Sequence, residues 1–90
     1  MSSLTKVIIK RGEDKYQWSQ TDESVVIYLP VKNVTLKNID VFYSDLVLKV
    51  NCQSIKYIAI LDFLHPIDYL SSKNKFQLLD GRLEVFLIKN

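Results

Sequence analysis

The side chains able to do covalent or acid–base chemistry are few and widely spaced. The chain has one histidine, His65, and one cysteine, Cys52. A catalytic base needs a nucleophile and an orienting group beside it. Leu64-His65-Pro66 supplies neither, so His65 reads as a loop residue ahead of a turn-forming proline. Cys52 has no second cysteine to pair with, which removes both a disulfide and a redox couple. In the turn-rich stretch Asn51-Cys52-Gln53-Ser54 it is expected as a partly exposed structural thiol. No His, Cys or carboxylate spacing matches a metal site. Gly12 and Gly81 stand too far apart to build a phosphate-cradling loop. The ten carboxylates are scattered through turns as a solvated surface. No catalytic residue, metal or cofactor is therefore expected, and the chain is not expected to be an enzyme, since function resides in a site.

Charge and hydropathy narrow the partners. Twelve basic residues against ten acidic ones give a net charge of +2. Lys10-Arg11 is followed at once by Glu13-Asp14, and Lys73 and Lys75 stand apart. A nucleic-acid module would show a basic stripe interleaved with aromatics, so nucleic acid is not expected as a partner. No apolar run approaches the roughly 20 residues that span a bilayer, so no membrane contact is expected either. Met1-Ser2-Ser3-Leu4-Thr5-Lys6 has no signal-like apolar run behind it. A reducing compartment, cytoplasmic and also nuclear, is expected.

The elements that would carry any binding residues have period two. Val25, Ile27 and Leu29 alternate with Val26, Tyr28 and Pro30, and Ile39, Val41 and Tyr43 with Asp40 and Phe42. Leu46, Leu48 and Val50 alternate with Val47, Lys49 and Asn51, and Leu83, Val85 and Leu87 with Glu84, Phe86 and Ile88. Such alternation reads as half-buried strands. Strands are expected over 4–10, 15–20, 24–30, 38–43, 46–51, 56–64, 75–79 and 82–88. Turn signals separate them, from Arg11-Gly12-Glu13-Asp14 to Asp80-Gly81, the clearest hairpin signal. Ile67 to Lys73 is at most one helical turn. Seven or eight short strands at this spacing predict an all-β fold, an antiparallel β-sandwich.

Tyr16-Gln17-Trp18-Ser19-Gln20-Thr21, the strand Val25 to Pro30, and the closing Leu83-Glu84-Val85-Phe86-Leu87-Ile88-Lys89 together resemble the CS domain. The resemblance covers about residues 14 to 90. It implies a CS-type sandwich at 14–90, with residues 1–13 as an N-terminal strand or arm. Two branches are similar. Asp40-Val41-Phe42-Tyr43, Leu48-Lys49-Val50-Asn51, Pro66-Ile67-Asp68 and Ser71-Ser72-Lys73 resemble the dynein axonemal assembly factor branch of the dyslexia-susceptibility type. Val31-Lys32-Asn33-Val34 and Leu64-His65-Pro66-Ile67 are similar to Sgt-type cochaperones. The first branch is favoured. The family implies a non-catalytic cochaperone or assembly adaptor, with heat-shock protein 90 and client complexes such as axonemal dynein as partners. The rival readings are an Sgt-type adaptor and a scaffold module that touches no chaperone. In Sgt-type domains the chaperone face uses an aromatic before the Gln of the first strand, an aromatic ending the second, and a Lys closing the last. Ser19, Pro30 and Lys89 hold those positions here, and only Lys89 matches. A large ring before the final hairpin is kept as Phe76, beside which Trp18 is expected to be largely buried. The chain ends at the family's domain edge, as either an excised domain or a small stand-alone protein would.

Alternation also sorts the faces. Val25, Ile27, Leu29, Ile39, Val41, Tyr43, Leu46, Leu48, Val50, Tyr57, Ala59, Leu61, Phe63, Leu83, Val85 and Leu87 are expected inside. Val26, Tyr28, Pro30, Phe86 and Ile88 then point outward on one sheet, and Phe42, Val47, Ile58 and Ile60 on the other. The first face is the expected partner-binding site, carried by Ser19, Tyr28, Pro30, Phe86 and Lys89. Its alternative fate is to be covered by Leu4 to Lys10, whose Val7-Ile8-Ile9 is itself apolar.

Overall fold

The computed structural model describes residues 4–10 and 16–90. The expected turn at Arg11-Gly12-Glu13-Asp14 lies outside the described residues. The strands are β1 (Leu4–Lys10), β2 (Gln17–Gln20), β3 (Ser24–Pro30), β4 (Asp40–Tyr43), β5 (Val47–Cys52), β6 (Tyr57–Phe63), β7 (Lys75–Leu79) and β8 (Arg82–Ile88). Single 3-10 turns at Leu36–Asn38 and Gln53–Ile55 join β3 to β4 and β5 to β6. The strands form two four-stranded sheets, ordered β1-β6-β5-β4 and β2-β3-β8-β7, and every pairing is antiparallel. This is the β-sandwich that the alternation predicts.

Local chemistry sets the registers. The β2–β3 turn is held by Thr21, whose Oγ1 accepts from the backbone N–H of Ser24 at 3.1 Å and of Glu23 at 3.2 Å. Asp80 and Gly81 make the two-residue β7–β8 turn with φ of 53° and 78°. Two successive positive φ values match the right-handed twist of the flanking strands, which is why Asp-Gly suits the place. That turn pairs Leu79 with Arg82 and fixes the ladder up to Lys75 against Phe86.

The core lies between the sheets. Val25, Ile27, Leu29, Leu48, Val50, Tyr57, Ala59, Leu61, Leu83, Val85 and Leu87 are almost fully removed from water, and Ile39 and Phe63 are buried. Each large aliphatic side chain so buried contributes about 1.5–3 kcal/mol. Val41 and Tyr43, on edge strand β4, are only half-buried. Leu46 departs further: it lies in the turn before β5, with 47% of its surface exposed. Cys52 corrects the expectation of a partly exposed thiol, for it ends β5 at 0% exposure among the core side chains. Val31 and Ile67, outside the alternating runs, are also buried. Ile67 is drawn in by an N–H bond to the Asp45 carbonyl at 2.8 Å and a bridge to Lys89.

Trp18 and Phe76 do not meet. The registers place Trp18, Ile27, Val85 and Phe76 in one row across the second sheet, so the two rings sit on opposite edge strands. Trp18 is half-buried against the core. Phe76 packs instead on Tyr43 of the other sheet, ring centres 5.3 Å apart and tilted by 58°, joining edges β4 and β7.

Candidate partner-binding face

The outer face of β2-β3-β8-β7 is built in rows. Ser19, Val26, Phe86 and Lys75 lie side by side, next to Gln17, Tyr28, Glu84 and Gln77, and then Pro30, Arg82 and Leu79. Tyr28 and Phe86 are diagonal neighbours, both half-buried, and Pro30 ends the patch beside Arg82. Ser19 is exposed at the β2 edge. The structure thus brings Ser19, Tyr28, Pro30 and Phe86 onto one surface.

Lys89 is the exception. It follows β8 on the parity of buried Leu87, not of Phe86. Its backbone N–H donates to the Glu23 carbonyl at 2.8 Å, and its Nζ donates to Gln20 Oε1 at 2.7 Å. It lies at the end of the sandwich, where Val25, Phe63, His65, Ile67 and Lys89 line a cleft of about 10 Å³. That volume is about one water molecule. The expectation that Lys89 shares a face with Tyr28 and Phe86 is therefore corrected: one step along a strand reverses the direction of a side chain.

Sequence reasoning also missed the polar members of the face. The Arg82 guanidinium stands 4.4 Å from the centre of the Tyr28 ring, a cation–π contact. Gln77 Nε2 donates to Glu84 Oε2 at 2.8 Å, across the β7–β8 ladder. Lys75, Gln77, Glu84 and Phe86 line a shallow depression of about 130 Å³. Asp80-Gly81 fixes Arg82 opposite Leu79, but its place next to Pro30 and diagonal to Tyr28 comes from the long-range β3–β8 pairing, for which the sequence gives no local signal. β1 does not cover this face, because it pairs with β6 as an edge of the other sheet.

These features define a class: an antiparallel β-sandwich with a half-buried aromatic pair set among charged groups on one open sheet face. The family model described as the CS domain matches residues 14–89, and the chain belongs to the CS-domain family. It is 31% identical to the Protein SGT1 homolog of Homo sapiens over 90 residues, covering 97% of this chain and 24% of that protein. It is 42% identical over 60 residues to Dynein axonemal assembly factor 4 of Pongo pygmaeus and of Pan paniscus, covering 67% of this chain and 14% of each relative. The chain thus spans a quarter or less of the length of these relatives. No helix among the described residues is long and apolar enough to cross a membrane.

Proposed function

We propose that this chain is a non-catalytic protein-interaction domain that acts as a cochaperone or assembly adaptor in the cytoplasm. Its partners are heat-shock protein 90 or a related chaperone, and client or assembly-factor proteins such as those of axonemal dynein. The observation that carries the reading is the Tyr28–Arg82–Phe86 patch on an open sheet face. Aromatic and Arg side chains are the residues most often found as binding anchors, and an exposed polar rim fixes register and rate. The relatives' names, an SGT1 homolog and a dynein assembly factor, support the adaptor role. A second reading, a scaffold module without direct chaperone contact, is favoured by Ser19 and Pro30, where the Sgt-type pattern has aromatics.

The test is titration calorimetry of purified heat-shock protein 90 into the chain. Tyr28→Ala with Phe86→Ala is expected to lose binding while keeping the strand signature in circular dichroism. Lys89→Glu, off the patch, is expected mainly to slow association and weaken its salt dependence, read by stopped-flow mixing at several salt concentrations. His65→Ala is expected to bind normally. Normal binding by the Tyr28/Phe86 variant, with binding abolished by changes at Phe42 or Ile58, moves the site to the other sheet. A wild-type chain that binds an assembly factor but no chaperone supports the scaffold reading.

A further inference from the structure

The outer face of β1-β6-β5-β4 carries a second apolar surface, independent of the patch above. Its rows are Lys10, Ile58, Asn51 and Asp40, then Ile8, Ile60, Lys49 and Phe42, then Lys6, Asp62 and Val47. Phe42 is 61% exposed, and Asp40, Val41, Phe42, Lys49 and Asn51 line a depression of about 430 Å³ at this edge. The two edges carry opposite charge, and the central strands carry one charge of each sign, Asp62 on β6 and Lys49 on β5. Lys6 and Lys10 lie on edge β1, and Asp40 lies on edge β4 with Asp45 in the turn that follows. A basic edge, an acidic edge, and a middle where Ile58, Ile60 and Val47 lie beside Asn51 and the diagonal neighbours Lys49 and Asp62 make a surface whose edges can complement each other.

Symmetry decides how. In a face-to-face pair, a two-fold axis parallel to the strands between β5 and β6 exchanges the two edges and keeps each row opposite itself. Lys10 then faces the second copy's Asp40, and Ile8 faces its Phe42. Each contact occurs twice, because the interface is isologous. The β1 edge of one copy also lies over the depression at β4 of the other. An axis perpendicular to the strands gives a different result. It sets Lys49 on the second copy's Lys49 and Lys10 on its Lys6, and like charges placed together oppose association. Two sheets can stack in the favoured way at about 10 Å separation with a rotation of about 30°.

We propose that this face is a self-association surface whose occupant is a second copy of the chain, with strand axes aligned and Lys10 opposite Asp40. The face measures roughly 20 by 23 Å from strand spacing and rise, about half the area per partner of a standard interface. The dimer is accordingly weak and reversible, with Kd of roughly 0.1–1 mM. It leaves the Tyr28 face open on both copies.

Sedimentation equilibrium of the chain at low salt, from about 10 μM to about 2 mM, brackets that range. The wild type should pass from monomer to dimer. Lys10→Asp alone, or Asp40→Lys alone, should raise Kd at least about tenfold, because symmetry counts each reversed contact twice. The two changes together should return Kd to within about threefold of wild type, since the opposite pairing is restored. Phe42→Ser should leave a folded monomer. Should that variant unfold, the charge reversals on exposed side chains still decide. A wild type that stays monomeric throughout overturns the proposal. So does a species larger than a dimer, or a doubly reversed chain that stays as weak as the single variants while keeping wild-type circular dichroism. The last outcome would assign the face to a different protein, whose charges would not reverse in step.

Discussion

Replacing Asn74 by Ala removes two hydrogen bonds that fasten the loop before β7 to the end of β8. Asn74 Nδ2 donates to the Asp68 carbonyl at 2.9 Å, and Asn74 Oδ1 accepts from the Ile88 N–H at 2.8 Å. The Ile88 carbonyl in turn accepts from the Asp68 N–H at 2.7 Å. The β7–β8 ladder starts only at Lys75 opposite Phe86. Beyond it the amide side chain takes the role of a strand neighbour. A net hydrogen bond is worth about 0.5–1.5 kcal/mol, and a stranded, part-buried donor such as the Ile88 N–H costs about 1–3 kcal/mol. The Asp68 carbonyl keeps the bond from the Ser71 N–H at 3.1 Å, whereas the Ile88 amide loses its side-chain acceptor, so the total is about 2 kcal/mol. In a domain of this size each kcal/mol moves Tm by about 4–8 °C, which gives a fall of about 8–16 °C. Asn74→Asp keeps the acceptor for Ile88 and loses only the donor, so it should cost about half as much. Thermal melts and amide exchange at Ile88 measure both. An Ala variant melting within about 2 °C of wild type, or an Ile88 amide exchanging no faster, would refute the clamp.

Three further outcomes are expected. Burial pushes the Tyr57 hydroxyl up to about 12 from 10, so the folded state keeps its proton where the unfolded state releases it. That contribution is complete below pH 10 and is lost as pH rises toward 12, by about 2–3 kcal/mol, and stability curves of wild type against Tyr57→Phe should diverge only above pH 10. Trp18→Ala should cost about 2–3 kcal/mol in denaturant titrations, below the ~3–5 kcal/mol of a fully buried aromatic, because Trp18 is half-buried on an edge strand. Gly81→Ala should cost about 1 kcal/mol by the same measurement. Its Cβ would meet Lys32 Cγ at an ordinary 3.6 Å, so only the φ of +78° opposes it.

The strands were legible because each alternating run reports its own burial. Val25 to Leu29 and Leu83 to Leu87 need no distant information to show which side chains turn inward. What alternation cannot carry is the destination of a strand. Val7-Ile8-Ile9 could have covered Tyr28, and only the pairing with β6 assigns it to the other sheet. Trp18 and Phe76 share a face in sequence terms, yet two strands intervene between theirs. Lys89 was misplaced for a different reason. Its likeness to a family position outweighed the parity that Leu87 and Phe86 already declared. Cys52 was misread, and Ile67 was left out of the inner set, because turn-like neighbours say nothing of what folds over them. The cation–π pair of Arg82 with Tyr28 joins residues far apart in the chain, and it follows from the β3–β8 pairing, which no local pattern declares.

The sheet order has a consequence for the making of the protein. β3 spans Ser24–Pro30, and the neighbour that joins it to β7 is β8, Arg82–Ile88. Between Pro30 and Arg82 lie 51 residues, all synthesised before that pairing can begin. At about 5–20 residues per second, the side of β3 that will receive β8 waits roughly 3–10 s on the ribosome without its partner. β1 likewise waits for β6. The hairpins β2–β3 and β4–β5 form from adjacent sequence, but the ladders that unite each sheet close late. Folding is then slow by topology, in the millisecond-to-second class of non-local β proteins once the chain is complete. During synthesis, Val25, Ile27 and Leu29, which the finished fold buries, are presented on an unfinished sheet, so the nascent chain exposes sticky surface for longest in its first third.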